Sequence, residues 1–153
     1  MKPRMTPLTV ALSLFAATAY AADPTLGTWK LNESKSTFSP NSPKILTTKV
    51  EQAADGVKVT VDGVYPDGKT FHNEWTGKYD GKDYPVVGSV NSDTRSMKKT
   101  DAHHFDIVNK KSGKPTIKVK WAIAKDGKSR TSTYSGTTAD GKPISGTYFY
   151  EKQ

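Results

Sequence analysis

Residues 45–61 read ILTTKVEQAADGVKVTV and contain two apolar-polar alternating segments separated by an Asp-Gly pair. In the second segment valine occupies every other position, with Lys58 and Thr60 between the valines. This is the period of a β-strand with one buried and one solvent-facing side. Asp-Gly readily adopts the positive φ that tight hairpin turns require. We therefore predict that residues 45–51 and 57–61 form an antiparallel hairpin around Asp55-Gly56.

The same pattern recurs along the chain, because five further Asp-Gly pairs begin at positions 62, 67, 80, 126 and 140. The predicted strands are 28–31, 45–51, 57–61, 70–79, 84–87, 94–100, 105–110, 116–124, 130–135 and 145–151. No segment has a sustained helical period with caps. The prediction is an all-β fold, an antiparallel up-and-down β-barrel of about 8–10 strands joined by Asp-Gly turns. A two-layer sandwich is the alternative, and closure is favoured because it removes exposed sheet edges.

The N-terminal segment has the order of a secretory signal. Lys2 and Arg4 precede an apolar run at 8–19, and Ala19-Tyr20-Ala21 supplies small residues for cleavage. We expect a signal peptide at 1–21, one domain at 22–153, and a periplasmic or secreted product; a buried N-terminal helix is the alternative. The chain contains no cysteine that would carry a lipid anchor, so we expect no membrane anchor.

Positive charge is concentrated between Lys98 and Arg130, a stretch that contains ten lysines or arginines and only three aspartates. Lys118 and Lys120 alternate with apolar residues, which is typical of the solvated side of a strand. Lysines there also discourage edge-to-edge aggregation. The functional alternative is that this basic outer face contacts an anionic envelope partner. We expect no nucleic acid partner, because no nucleic-acid-binding motif is present.

Both ends of the predicted domain resemble a known group of barrels. The segment Gly27-Thr28-Trp29-Lys30-Leu31 resembles the Gly-x-Trp opening of lipocalins and the start of intracellular fatty-acid-binding proteins. Tyr150-Glu151-Lys152 is similar to the end of the latter group. The resemblance implies a calycin-type barrel with a cavity, in which Trp29 closes one end. Fatty-acid-binding proteins carry a carboxylate-binding Arg where this chain has Tyr148, a departure from their pattern.

Strand parity supplies candidate ligand-binding residues. Arg95 shares parity with Met97 and would offer an inward charge to a carboxylate or phosphate; pairing with an acidic neighbour is an equal alternative. Arg130 would serve similarly, although its place beside a turn favours solvent. The remaining cavity-lining candidates are two tryptophans and three tyrosines: Trp75, Trp121, Tyr134, Tyr148 and Tyr150. For these tyrosines, simple packing with a hydroxyl at the rim is the alternative.

The sequence contains no complete catalytic or metal-binding motif. His72 and Glu74 share a strand face and would permit a general base or a pair of metal ligands, but two residues do not make a site. The adjacent His103 and His104 would point to opposite faces of a strand. The prediction is therefore a monomeric, lipocalin-like barrel that binds a small apolar or amphipathic ligand without a cofactor or metal. A barrel enzyme using His72 and Glu74 is the weakest alternative.

Overall fold

The structure, a computed structural model, describes residues 21–153. The predicted signal peptide lies outside the described residues except for its last position. Residues 21–153 contain eleven strands, one 3-10 turn at Glu33–Lys35 and no α-helix. The strands are β1 (Gly27–Leu31), β2 (Thr37–Phe38), β3 (Lys44–Ala53), β4 (Gly56–Val64), β5 (Thr70–Gly77), β6 (Asp80–Val87), β7 (Thr94–Lys99), β8 (His104–Lys111), β9 (Lys114–Ile123), β10 (Ser129–Thr137) and β11 (Pro143–Lys152).

Ten of these strands close into an antiparallel up-and-down barrel. From β3 to β11 each strand pairs with the next along the chain, and β1 closes the ring by pairing with both β3 and β11. β1 covers only the end of β11, where Leu31 opposes Tyr150. The two-residue β2 pairs with β11 farther back, opposite Gly146 and Thr147. β1 and β2 therefore share the same edge of β11, with the 3-10 turn between them.

All ten predicted strands are present, so the predicted all-β barrel is confirmed. β2 and the 3-10 turn were not predicted, because two residues cannot show an alternating pattern. The ladder is least continuous between β5 and β6, where only the pairs Glu74–Val87 and Trp75–Val86 form. β-Bulges interrupt the β3–β4, β6–β7 and β8–β9 ladders.

Three of the six Asp-Gly pairs lie in hairpin connections, as predicted. Gly68, Gly127 and Gly141 have positive φ in the β4–β5, β9–β10 and β10–β11 connections. Asp62-Gly63 instead lies within β4, where the next strand crosses closely. A Cβ on Gly63 would lie 2.5 Å from the ring of Phe71, so the glycine provides room rather than a turn.

The turn at Asp55 is also displaced from its predicted position. Ala54 and Asp55 connect β3 to β4, and Gly56 is already the first residue of β4. The positive φ of this hairpin, 24°, belongs to Ala54. The longer β3 ladder, which pairs Ala53 with Gly56, fixes this turn one residue earlier than the Asp-Gly pair alone indicates.

Alternation along the strands places a continuous set of apolar and aromatic side chains inside the barrel. Trp29, Trp75, Phe105 and Met97 are almost completely buried there. Within residues 21–153, no helix is long and apolar enough to cross a membrane.

Candidate functional site

A cavity of about 120 Å³ lies inside the barrel. Inward side chains of β3–β5 and β7–β11 form its walls, and Pro43, Tyr65 and the β6–β7 loop bound it at one end. The lining is mainly apolar and aromatic, with a few asparagine, serine and arginine side chains. Among residues 21–153 two arginines and no aspartate or glutamate line it. The cavity therefore carries a positive charge that no acidic side chain of its lining balances.

Trp29, for which the resemblance implied a barrel-closing role, is packed in the core of the barrel. It is 0% exposed, and its Nε1 donates a hydrogen bond to the carbonyl oxygen of Thr25 at 2.8 Å. The Lys152 ammonium lies 4.6 Å from the centre of one of its rings and donates to the carbonyl of Pro24. These contacts tie the first and last strands together and give Trp29 a structural role.

Arg95 points into the cavity, as its strand parity predicted. Its Nε donates to Oδ1 of Asn109 at 2.6 Å, and its Nη2 donates to Oδ1 of Asn73 at 3.4 Å. Its hydrogen-bond acceptors are thus neutral amides rather than the acidic neighbours considered as the alternative. Burial lowers the pKa of Arg95 to about 10, so the guanidinium is charged at neutral pH.

Arg130 is also inside the barrel, contrary to the solvent-facing position expected beside a turn. It is 1% exposed, and its guanidinium carbon lies 4.0 Å from Trp121, 4.4 Å from Tyr150 and 5.0 Å from Trp29, each measured to a ring centre. Burial lowers the pKa of Arg130 to about 10, while nearby Tyr150 opposes this change. Three aromatic faces stabilise the cation, but its Nε and Nη1 atoms have no hydrogen-bond acceptor within residues 21–153.

Four buried polar atoms without hydrogen-bond partners lie together on β10. They are Nε and Nη1 of Arg130, Oγ of Ser132 and the hydroxyl of Tyr134. The three residues occupy alternate positions of one strand, are at most 5% exposed, and all line the cavity. Buried polar groups in native proteins are nearly always hydrogen-bonded, so this cluster needs hydrogen-bond partners inside the cavity, from water or from a ligand. We call these three side chains the β10 donor ladder.

The other predicted ligand-binding aromatics divide between the cavity and the wall. Trp121 lines the cavity and stacks on Arg130. Tyr148 and Tyr150 also line it, but their hydroxyls donate to the backbone carbonyls of Pro43 and Ile45. These two tyrosines therefore position the segment before β3 as well as forming wall.

Trp75 is the exception and corrects the prediction. It is 1% exposed but does not line the cavity. Its Nε1 donates to the carbonyl oxygen of Arg95 at 2.8 Å, and its ring packs edge-on against Tyr84. Strand parity placed it inward correctly, but its height along the barrel puts it in the packed wall below the cavity.

His72 and Glu74 lie on the outer surface, together with Asp62. The Nδ1 atom of His72 is 2.6 Å from Oδ1 of Asp62, and Nε2 is 3.6 Å from Oε1 of Glu74. The Asp62 hydrogen bond is the main cause that raises the pKa of His72. All three side chains are about half exposed on an open strand face. On this exposed strand face the three side chains form an ion-pair cluster.

Eight of the nine lysines of the predicted basic face are exposed and Lys110 is partly buried, whereas Arg130 is not part of that face. Lys120 pairs with Asp106 at 2.9 Å and Lys110 with Asp83 at 2.8 Å. Among the residues that the structure describes, the other seven form no ion pair; they are Lys98, Lys99, Lys111, Lys114, Lys118, Lys125 and Lys128. The outer surface from β7 to β10 therefore remains strongly positive.

No protein-family model matches this chain. Comparison with curated proteins gave no match either. Comparison with solved structures also found none. What the geometry establishes is a closed ten-strand antiparallel barrel, consistent with a calycin-like fold, with a positively charged internal cavity.

Proposed function

We propose that the protein is an exported, lipocalin-like barrel that binds a small apolar or amphipathic ligand in its interior. The observation that carries this proposal is the internal cavity, whose apolar walls converge on a few buried polar groups. Ligand sites generally combine these two features, with the apolar walls supplying affinity and the polar groups fixing orientation. The periplasmic or secreted location rests on the sequence of residues 1–21 alone.

The size of the cavity limits the ligand. Its volume of about 120 Å³ is somewhat below the roughly 150 Å³ of an apolar cavity that admits benzene. A ligand that fills it has about one ring or a short chain inside the barrel. The loops at the open end, including Ser89 and Asn91, would contact any part that extends farther.

A cavity-filling substitution tests the proposal. Val119 lines the cavity, so Val119→Phe would occupy its space, whereas Val108→Phe adds the same ring outside the barrel on the neighbouring strand. We expect the full mature protein to bind a neutral probe, 4-hydroxybenzyl alcohol, in NMR titrations, with shifts at cavity residues. Val119→Phe should lose this binding and Val108→Phe should keep it. Equal binding by both variants would place the probe outside the cavity and contradict the proposal.

The basic outer face supports a second candidate, contact with an anionic envelope surface. Its seven lysines without ion pairs would be attracted to anionic headgroups, and salt would screen that attraction. Co-sedimentation with vesicles containing an anionic phospholipid tests it. Binding that disappears at high salt and in a Lys98→Gln, Lys118→Gln double variant would favour this candidate, and absence of binding at low salt would refute it.

A further inference from the structure

The β10 donor ladder carries information about the ligand's chemistry that the cavity walls alone do not. Arg130 Nε, Arg130 Nη1, Ser132 Oγ and Tyr134 OH are buried without partners, whereas the other inward arginine, Arg95, already donates to two amide oxygens. A buried donor without an acceptor destabilises a protein, so the ladder is an arrangement that an occupant completes. In the described part of the chain, the cavity lining has no acidic side chain that could pair with Arg130. The strongest hydrogen-bond acceptor that a bound ligand could offer this arginine is therefore an anionic group.

The spacing of the ladder further restricts the occupant. Alternate residues of one strand face the same side, so Arg130 and Tyr134 have Cα atoms roughly 13 Å apart, with Ser132 midway. The Arg130 guanidinium lies against Trp121 and Tyr150, whereas the Tyr134 ring stacks on Tyr148, so a carboxylate held by the arginine is displaced along the strand from the Tyr134 hydroxyl. A plain alkyl carboxylate would satisfy the arginine and leave the two hydroxyls against its hydrocarbon chain. The ladder instead matches a molecule that has a carboxylate at one end and another oxygen atom farther along.

The surroundings of the ladder match a flat ligand. The Arg130 guanidinium stacks on Trp121 and Tyr150, and the ring of Tyr134 is parallel to that of Tyr148 with centres 4.5 Å apart. The cavity that these aromatic faces help to line has a volume of about 120 Å³, which is too small to hold a long acyl chain inside the barrel. Aromatic side chains around such a space favour a ring in offset or edge-to-face contact.

We propose that the ligand is a small carboxylate, about one ring in size, whose carboxylate binds Arg130 and whose second oxygen atom accepts hydrogen bonds from Ser132 and Tyr134. This inference rests on the proposed interior binding function and names the chemical class of its ligand. It assigns Arg130 as the anchor, in place of Arg95, because Arg130 has unpaired donors inside the cavity. Long-chain fatty acids are outside the proposed class.

A matched series of probes tests the proposal by calorimetry and NMR on the mature protein. The probes are 4-hydroxybenzoate, benzoate, which lacks the second oxygen, 4-hydroxybenzyl alcohol, which lacks the charge, and hexadecanoate. We expect wild type to bind 4-hydroxybenzoate roughly 10- to 150-fold more tightly than the alcohol, the range for a hydrogen bond to a charged group. It should bind benzoate roughly 2- to 12-fold more weakly than 4-hydroxybenzoate, the range for a neutral hydrogen bond.

Variants assign each preference to its residue. Arg130→Met should remove the preference for the anion over the alcohol, and Arg130→Lys, which keeps a charge, should retain part of it. Ser132→Ala and Tyr134→Phe should reduce the preference for 4-hydroxybenzoate over benzoate. In wild type, the Arg130 side-chain Nε–H resonance should shift on adding 4-hydroxybenzoate, a readout that needs no variant to fold.

The outcomes separate the two proposals. Equal affinity for 4-hydroxybenzoate and the alcohol, in wild type and in Arg130→Met, would overturn the anion assignment while leaving interior binding intact. Equal affinity for 4-hydroxybenzoate and benzoate would overturn the role of Ser132 and Tyr134. Tighter binding of hexadecanoate than of 4-hydroxybenzoate would overturn the ligand class. Failure to bind any of the four probes would overturn the inference together with the interior-binding proposal.

Discussion

Replacing Arg130 by methionine should stabilise the protein when no ligand is present. The side chain is buried without a carboxylate partner, and burial lowers its pKa from 12.5 to about 10. That change corresponds to about 3 kcal/mol of unfavourable free energy for the charged form. The closest ring, that of Trp121 at 4.0 Å, stabilises the charged form by about 2 kcal/mol through a desolvated cation-π contact. Arg130→Met keeps an unbranched apolar side chain and removes both effects.

Removing both the burial cost and the cation-π contact should raise the free energy of unfolding of Arg130→Met by about 1 kcal/mol. For a domain of this size that corresponds to an increase of about 3–5 °C in Tm. Urea unfolding monitored by tryptophan fluorescence measures it, with an unchanged m-value as the check on two-state behaviour. Arg130→Ala is the control, because it removes the same charge but leaves empty space. It should be less stable than Arg130→Met by about 2–5 kcal/mol.

A loss of 2 kcal/mol or more in Arg130→Met would refute this reasoning. It would mean that the aromatic contacts with Trp29, Trp121 and Tyr150 stabilise the protein by more than the burial of the charge destabilises it. Arg130 would then be a structural residue of the barrel interior. A ligand-binding arginine shows the opposite combination, in which the substitution improves stability and abolishes anion binding. Binding sites often carry such groups at a cost in stability.

Other substitutions test the fold and the outer surface. Gly136→Ala should destabilise the barrel by about 1–3 kcal/mol in urea unfolding, because the new Cβ would lie 2.1 Å from the carbonyl oxygen of Thr116; unchanged stability would show that β9 and β10 separate easily there. Tyr148→Phe should cost about 1 kcal/mol by removing a hydrogen bond to the segment before β3, and a variant as stable as wild type would contradict that contact. The His72 pKa is raised, so its interaction with Asp62 should stabilise the folded state below the ordinary pKa of 6.5 and weaken as pH rises through the folded-state value. NMR titration should show Asp62→Asn moving that pKa back down, and an identical titration in the variant would rule the interaction out.

Local pattern was sufficient to predict the strands. Valine alternation in residues 57–61 reflects one buried and one solvated side, which is a property of neighbouring residues. Closure of the sheet into a barrel could be predicted because successive strands are joined by short connections and a closed barrel has no free edge. The pairing of β1 with both β3 and β11 is long-range, however, and the two-residue β2 leaves no periodic signal. These features appear only when the whole ring is assembled.

The candidate site was predicted less completely, for a related reason. Strand parity correctly predicted that Arg95 and Trp75 face inward. Parity does not give the position of a residue along the barrel axis, so it could not show that Trp75 lies below the cavity. Arg130 shares parity with Ser132 and Tyr134, a signal that was present in the sequence. Its position next to a turn suggested solvent exposure, but β10 already begins at Ser129 and pairs Arg130 with both Ile123 and Tyr150.

The most direct test of interior binding is native mass spectrometry of the protein expressed from its full sequence in a bacterial host, followed by extraction and identification of any bound molecule. We expect one small carboxylate per chain, lost from Val119→Phe and retained by Val108→Phe. A protein that carries nothing and also takes up none of the ring-sized probes would contradict it and leave the basic outer face as the functional surface.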